Sequence, residues 1–194
     1  EITPEALSES VELIQTIISP SQLVAVPDNN NHKVNLSWNL GDSASYILDD
    51  GSYESALSIS STGNAWIGNL YNVEDIGYIN SIDIYGYKDS TGTGEGLITI
   101  DIFNGDGTLI GSSAPVSIPN NAWSNVVMPN VPFSGQFYAM VHYNMVSNTN
   151  MIGADIFGPN PQAGYYYDAE YGWNSLESWE MPCAMMIRVN ARVQ

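Results

Sequence analysis

Leu97-Ile98-Thr99-Ile100-Asp101-Ile102-Phe103, then Asn104-Gly105-Asp106-Gly107, then Thr108-Leu109-Ile110 is the stretch that decides the fold class. Apolar and polar residues alternate along its first part, which places successive side chains on opposite faces of a strand. The Asn-Gly-Asp-Gly segment accepts the tight backbone of a hairpin, and apolar residues resume after it. Ile79-Asn80-Ser81-Ile82-Asp83-Ile84-Tyr85 likewise implies one wet face and one dry face. Working outward, strand candidates fall at 23–26, 34–38, 54–60, 64–70, 78–87, 96–103, 108–112, 123–128, 135–143, 150–157, 164–168 and 184–193. Their spacing is about ten residues, with Gly, Asn or Pro between them. No helical period follows residue 20. The prediction is an all-β chain, an antiparallel jelly-roll β-sandwich.

Composition agrees and excludes several functions. The 194 residues include 17 Gly, 10 Pro, 12 Tyr and 5 Trp, a balance of turn formers and strand-favouring rings. Asp and Glu number 21 against 4 Lys and Arg, giving a formal charge of −17. Nucleic-acid binding needs clustered cations that this chain lacks, and an anionic membrane surface would repel it. No apolar run approaches the roughly 18 residues of a membrane-spanning helix. The single Cys183 permits no intrachain disulfide, and its apolar flank predicts a buried, inert thiol.

Residues 1–19 differ from the rest. Thr3-Pro4-Glu5 has the order of a helix start, and Leu7, Val11, Ile14 and Ile18 recur at helical spacing. The segment is either a short helix or a linker. Next, Ser19-Pro20-Ser21-Gln22-Leu23 with Val34-Asn35-Leu36-Ser37-Trp38-Asn39 resembles the opening strands of a fibronectin type III module. Leu48-Asp49-Asp50-Gly51-Ser52-Tyr53-Glu54 and Gly63-Asn64-Ala65-Trp66 resemble the start of the gingipain-type cleaved-adhesin modules of secreted, multi-domain bacterial proteins. Tyr171-Gly172-Trp173-Asn174-Ser175-Leu176 and Ala184-Met185-Met186-Ile187-Arg188-Val189 resemble those modules' aromatic loop and closing strand. The resemblance implies an N-terminal extension of fibronectin-like strands over 20–45, packed on a jelly-roll sandwich over 46–194. It also implies a secreted or cell-surface, non-catalytic adhesion or glycan-binding accessory role, as a monomer within a multi-domain chain. The alternative is a structural spacer that positions neighbouring domains.

Candidate sites follow from the residues. Asp49, Asp50 and Glu54 gather three carboxylates within six residues, and hard oxygens on a turn suit Ca²⁺. The resemblance adds to that expectation of a structural calcium, against an Asx turn with solvated acids. The acids of 101–107 lack calcium-loop spacing and read as a hairpin turn. The Gly-rich 89–96 has no phosphate-cradle signature and reads as a flexible loop. His32 and His142 are isolated, no nucleophile motif occurs, and a catalytic role is not expected.

The aromatic segment is the candidate ligand site: Tyr165, Tyr167, Tyr171, Trp173, Asn174 and Trp179. Exposed rings can cover the apolar C–H faces of sugars while amides and acids bind hydroxyls. Strand alternation sends either Tyr166 or the Tyr165/Tyr167 pair into the core. The expected partner is a glycan or a protein, neutral in preference to anionic because of the charge.

Overall fold

The computed structural model describes residues 21–28, 33–39, 41–59, 64–88, 97–144 and 150–194. The expected helix or linker over 1–19, the Gly-rich loop over 89–96 and His32 lie outside those residues. The chain divides into two compact units between Asp42 and Ser43. In the first, β1 (Ser21–Asp28) and β2 (Lys33–Asn39) pair antiparallel, with Asp28 opposite Lys33.

The second unit, Ser43–Val193, is an antiparallel β-sandwich. One sheet has six strands: β5 (Asn64–Tyr71), β7 (Thr99–Asn104), β8 (Leu109–Ser112), β10 (Phe137–Asn144), β12 (Gly164–Asp168) and β13 (Gly172–Ser175). Their spatial order is β13-β12-β5-β10-β7-β8. The other sheet is organised on β6 (Ile76–Lys88), which carries β9 (Ala122–Ser134) along one edge. Its opposite edge is shared by β15 (Ile187–Val193) and β11 (Asn150–Asp155). β3 (Asp42–Tyr46) lies beside β15, while β4 (Ser55–Leu57) and β14 (Ala184–Met185) pair with β11.

Isoleucines dominate the core because a β-branched side chain fits a pleated, buried surface. Ile67, Ile100, Ile102, Phe137 and Val141 of the six-stranded sheet belong to one buried cluster with Ile79, Ile82, Ile84, Ile187 and Val189 of the other. Ile79 and Ile82 are both buried although three residues apart, which strict alternation forbids. A register shift between Ile79 and Ser81 resolves this: against β15, Asn80 is the extra residue of a β-bulge, while against β9 the same step is matched by the longer run from Val127 to Val131. Its side chain donates to Asn130 Oδ1 at 2.5 Å, and Asn130 itself adopts φ 52°.

Met186 stands between β14 and β15. Its N–H donates to Gly153 O at 2.7 Å and its carbonyl accepts from Tyr85 N at 3.0 Å. At that residue the chain leaves β11 and joins β6. The step leaves Met185 facing the opposite sheet, where Asn69 receives it: Asn69 Oδ1 accepts from Met185 N, and Asn69 Nδ2 donates to Met185 O, each at 2.8 Å. The Tyr71 hydroxyl donates to Ile187 O at 2.5 Å. Both side chains are buried, so β5 supplies the polar partners that the interrupted strand needs.

Candidate functional site

The outer face of the six-stranded sheet is aromatic. In β5, β10 and β12, core residues alternate with Trp66, Tyr138, His142, Tyr165 and Tyr167, which lie on the opposite face. Pairing sets Tyr167 opposite Trp66 on one side and opposite Trp173 on the other. Trp173 then stacks on Tyr167 at 4.6 Å and on Tyr138 at 4.3 Å, with the Phe103 edge at 5.2 Å. Tyr165 meets Tyr138 edge-on at 5.3 Å. Tyr166, one position out of phase, is buried, which decides the alternation in favour of Tyr165 and Tyr167 outside.

At one end of this face, Trp66 Nε1 donates to Asp101 Oδ2 at 2.7 Å. The same oxygen lies 3.3 Å from His142 Nδ1, and the imidazole stacks on Trp66 at 4.3 Å. Burial lowers the His142 pKa, against the opposing pull of Asp101. The Thr99 hydroxyl also approaches Nδ1, at 3.3 Å, while the buried Nε2 has no hydrogen-bond partner.

The remaining expected ligand residues are dispersed. Tyr171 is 64% exposed at the tip of the β12–β13 hairpin, away from the stacked rings. That turn is fixed by Asp168, whose Oδ1 accepts from Glu170 N and Tyr171 N. Asn174 sits opposite Tyr166, on the other face from Trp173, and its amide donates to Tyr171 O at 2.9 Å. Trp179 belongs to a short 3-10 helix, Leu176–Trp179, and packs on Tyr166 at 4.7 Å. Thus Tyr165, Tyr167 and Trp173 share a face, whereas Tyr171, Asn174 and Trp179 do not join it. Trp66, Phe103 and Tyr138 join it instead. The alternation of each strand could have placed them outward, but only the strand order brings them together.

The acidic group is also rearranged. Asp50 and Glu54 converge as expected, and their third partner is Asp155 of β11 instead of Asp49; one carboxylate oxygen from each lies within 4.8 Å of the others. Asp155 is 1% exposed. Its Oδ2 accepts from Asp50 N at 2.7 Å, while its Oδ1 is buried without a partner. The Ser52 N–H donates to Asp50 Oδ1 at 2.8 Å, and the Ser52 hydroxyl, which lies between Asp50 Oδ1 and Glu54 Oε1, shares its one proton between them. The Ser52 bonds to Asp50 hold it below the usual carboxylate range. Gly158 lies against the Asp155 carboxylate, where a Cβ would come within 1.9 Å of Oδ2. Asp49 is withdrawn from the group by Arg188, whose Nε and Nη2 reach its two oxygens at 3.1 and 2.5 Å. A fork of this kind satisfies a buried carboxylate that would otherwise demand a cation.

Beside Tyr165 the outer face opens into a cleft of about 540 Å³, lined by Leu70, Asn72, Asn160, Gln162 and Glu177 among others. Elsewhere the expectations for the thiol and the hairpin agree with the structure. Cys183 is buried and its pKa is pushed up to about 11 by desolvation. Asp106 Oδ1 accepts from the Thr108 N–H and hydroxyl, closing the β7–β8 turn. No family model matches this chain, and no curated protein matches it.

Proposed function

We propose that this chain is a non-catalytic, secreted or cell-surface module of jelly-roll adhesin type that binds a glycan, or a protein, on the outer face of its six-stranded sheet. One observation carries the reading: Trp66, Tyr138, Tyr165, Tyr167 and Trp173 lie side by side where a sandwich ordinarily turns polar residues to water. Rings so arranged offer flat apolar area to the C–H faces of sugars. The charge of −17 favours neutral ligands over anionic ones. The Asp101–His142 arrangement, with no nucleophile on Nε2 among the described residues, supports a binding role over a hydrolytic one.

A structural Ca²⁺ belongs to this proposal. Asp50, Glu54 and Asp155 are the residues to hold it, since three hard carboxylates and a buried oxygen without a donor suit that ion.

A glycan array tests the reading, with Tyr167→Ala beside the wild type. Retention of neutral glycans by the wild type and their loss by the variant is the expected outcome. A structural spacer between domains of a longer polypeptide is the second reading. It is favoured by the packing of Trp173 between Tyr138 and Tyr167, as in a small second core. An array that retains nothing decides against the glycan and leaves a protein ligand or the spacer.

A further inference from the structure

We infer that the cleft beside Tyr165 is the subsite that selects the ligand, and that it takes a neutral sugar ring through the Gln162–Glu177 pair. This rests on the glycan-binding reading and locates its specificity. The cleft, about 540 Å³, falls within the range of small-ligand sites. It adjoins the aromatic face directly, because Tyr165 both lines it and touches Tyr138 of the ring cluster. A saccharide covering Tyr138 and Trp173 would therefore continue into it.

The lining has the chemistry of hydroxyl recognition. Leu70 and Tyr165 give it apolar surface, while Asn72, Asn160 and Gln162 bring amides that both donate and accept. The frame is fixed by neighbours: Asn160 donates to Leu48 O at 2.8 Å, and Asn72 Oδ1 accepts from Gln136. Gln162 Nε2 donates to Glu177 Oε1 at 3.3 Å, which orients the carboxylate beside the opening. An ionised carboxylate accepts from hydroxyls more strongly than a neutral group does. None of the four Lys and Arg residues lines the cleft, so a uronate or sulfated sugar would meet Glu177 with no compensating cation.

Gln162 and Glu177 are both exposed, so their truncation spares the core. Titration calorimetry would compare the wild type, Gln162→Ala, Glu177→Ala and Val127→Ala, the last on the other sheet. The probes are neutral gluco-, galacto- and manno-oligosaccharides and their uronic-acid counterparts. The expected result is binding of a neutral probe that weakens about tenfold or more in Glu177→Ala and Gln162→Ala, the scale of a lost charge-assisted hydrogen bond. Val127→Ala should bind as the wild type does. Wild-type affinity retained in both cleft variants overturns the cleft and leaves the glycan reading standing. Tighter binding of the uronic probes overturns the neutral class. A wild type that binds no saccharide overturns the glycan reading itself, and the cleft with it.

Discussion

Arg188 of β15 grips Asp49, in the segment after the neighbouring strand β3, with two donors at 3.1 and 2.5 Å, and lays its guanidinium over the Trp123 ring at 4.1 Å. One of only four basic side chains in the protein is thus committed to a buried carboxylate. The contact holds the Arg188 pKa above its ordinary value through the Asp49 hydrogen bonds. It also ties the turn after β3 to the closing strand β15.

Arg188→Met should therefore destabilise the sandwich by about 2–3 kcal/mol. Breaking a fully buried pair costs about 3–5 kcal/mol, and the partial exposure of Arg188 lowers that figure. Urea denaturation should register the loss as a lower midpoint at unchanged slope. Restoring neutrality with Asp49→Asn in the same chain should recover part of it.

Calcium should raise the melting temperature and a chelator should lower it. At a calcium concentration a hundredfold above its dissociation constant, the folded state gains about 2.7 kcal/mol, worth several degrees. Asp155→Asn should remove the response, and Gly158→Ala should weaken it by crowding the Asp155 carboxylate. A melting curve indifferent to calcium and chelator would leave the three acids as a structural cluster only.

Stability should fall as pH drops below about 6.5, the unfolded pKa of histidine. His142 has its folded pKa depressed, chiefly by burial, so the unfolded chain binds the proton more readily. The stabilisation from a neutral His142 is complete above the unfolded pKa and is lost as pH falls through the folded one. The measurement is the urea midpoint between pH 5 and 8. His142→Gln should flatten its slope in that window.

The two most conspicuous rings of the β12–β13 hairpin should behave oppositely. Tyr171→Ala, at an exposed tip, should shift stability by no more than about 0.5 kcal/mol. Trp173→Ala removes a ring packed against Tyr138, Tyr167 and Phe103 and should cost about 2–3 kcal/mol, less than a full core tryptophan. Thermal melts of the two variants compare them directly.

Local alternation made most of the sandwich legible, since Ile100, Ile102, Ile82 and Ile84 declare their faces without knowledge of any partner. It did not reveal β3, whose Asp-Ser-Ala-Ser-Tyr sequence has no apolar alternation and is a strand because it lies beside β15. Nor did it reveal β13, a four-residue strand held by pairing with β12. The acid group was half legible. Asp50 and Glu54 are near in sequence, but the loss of Asp49 to Arg188 and the arrival of Asp155 depend on pairings between distant strands. The same reason hid Trp66 and Tyr138 from the aromatic face. Their orientation is a local property, and their company is not.

The step at Met186 bears on how the sheet's open edges are covered. β15 occupies the same edge of β6 that β11 takes further along, and β14 closes against β11. Until that segment docks, β6 and β11 present unpaired backbone, and Asn69 and Tyr71 have no carbonyls to meet. Closure of this sheet joins segments far apart in sequence, the kind of contact whose loop-closure entropy must be met before it stabilises the chain. It also covers strand edges that would otherwise invite pairing with another chain. With Met186 seated, the edges of β6 and β11 are closed by one continuous segment.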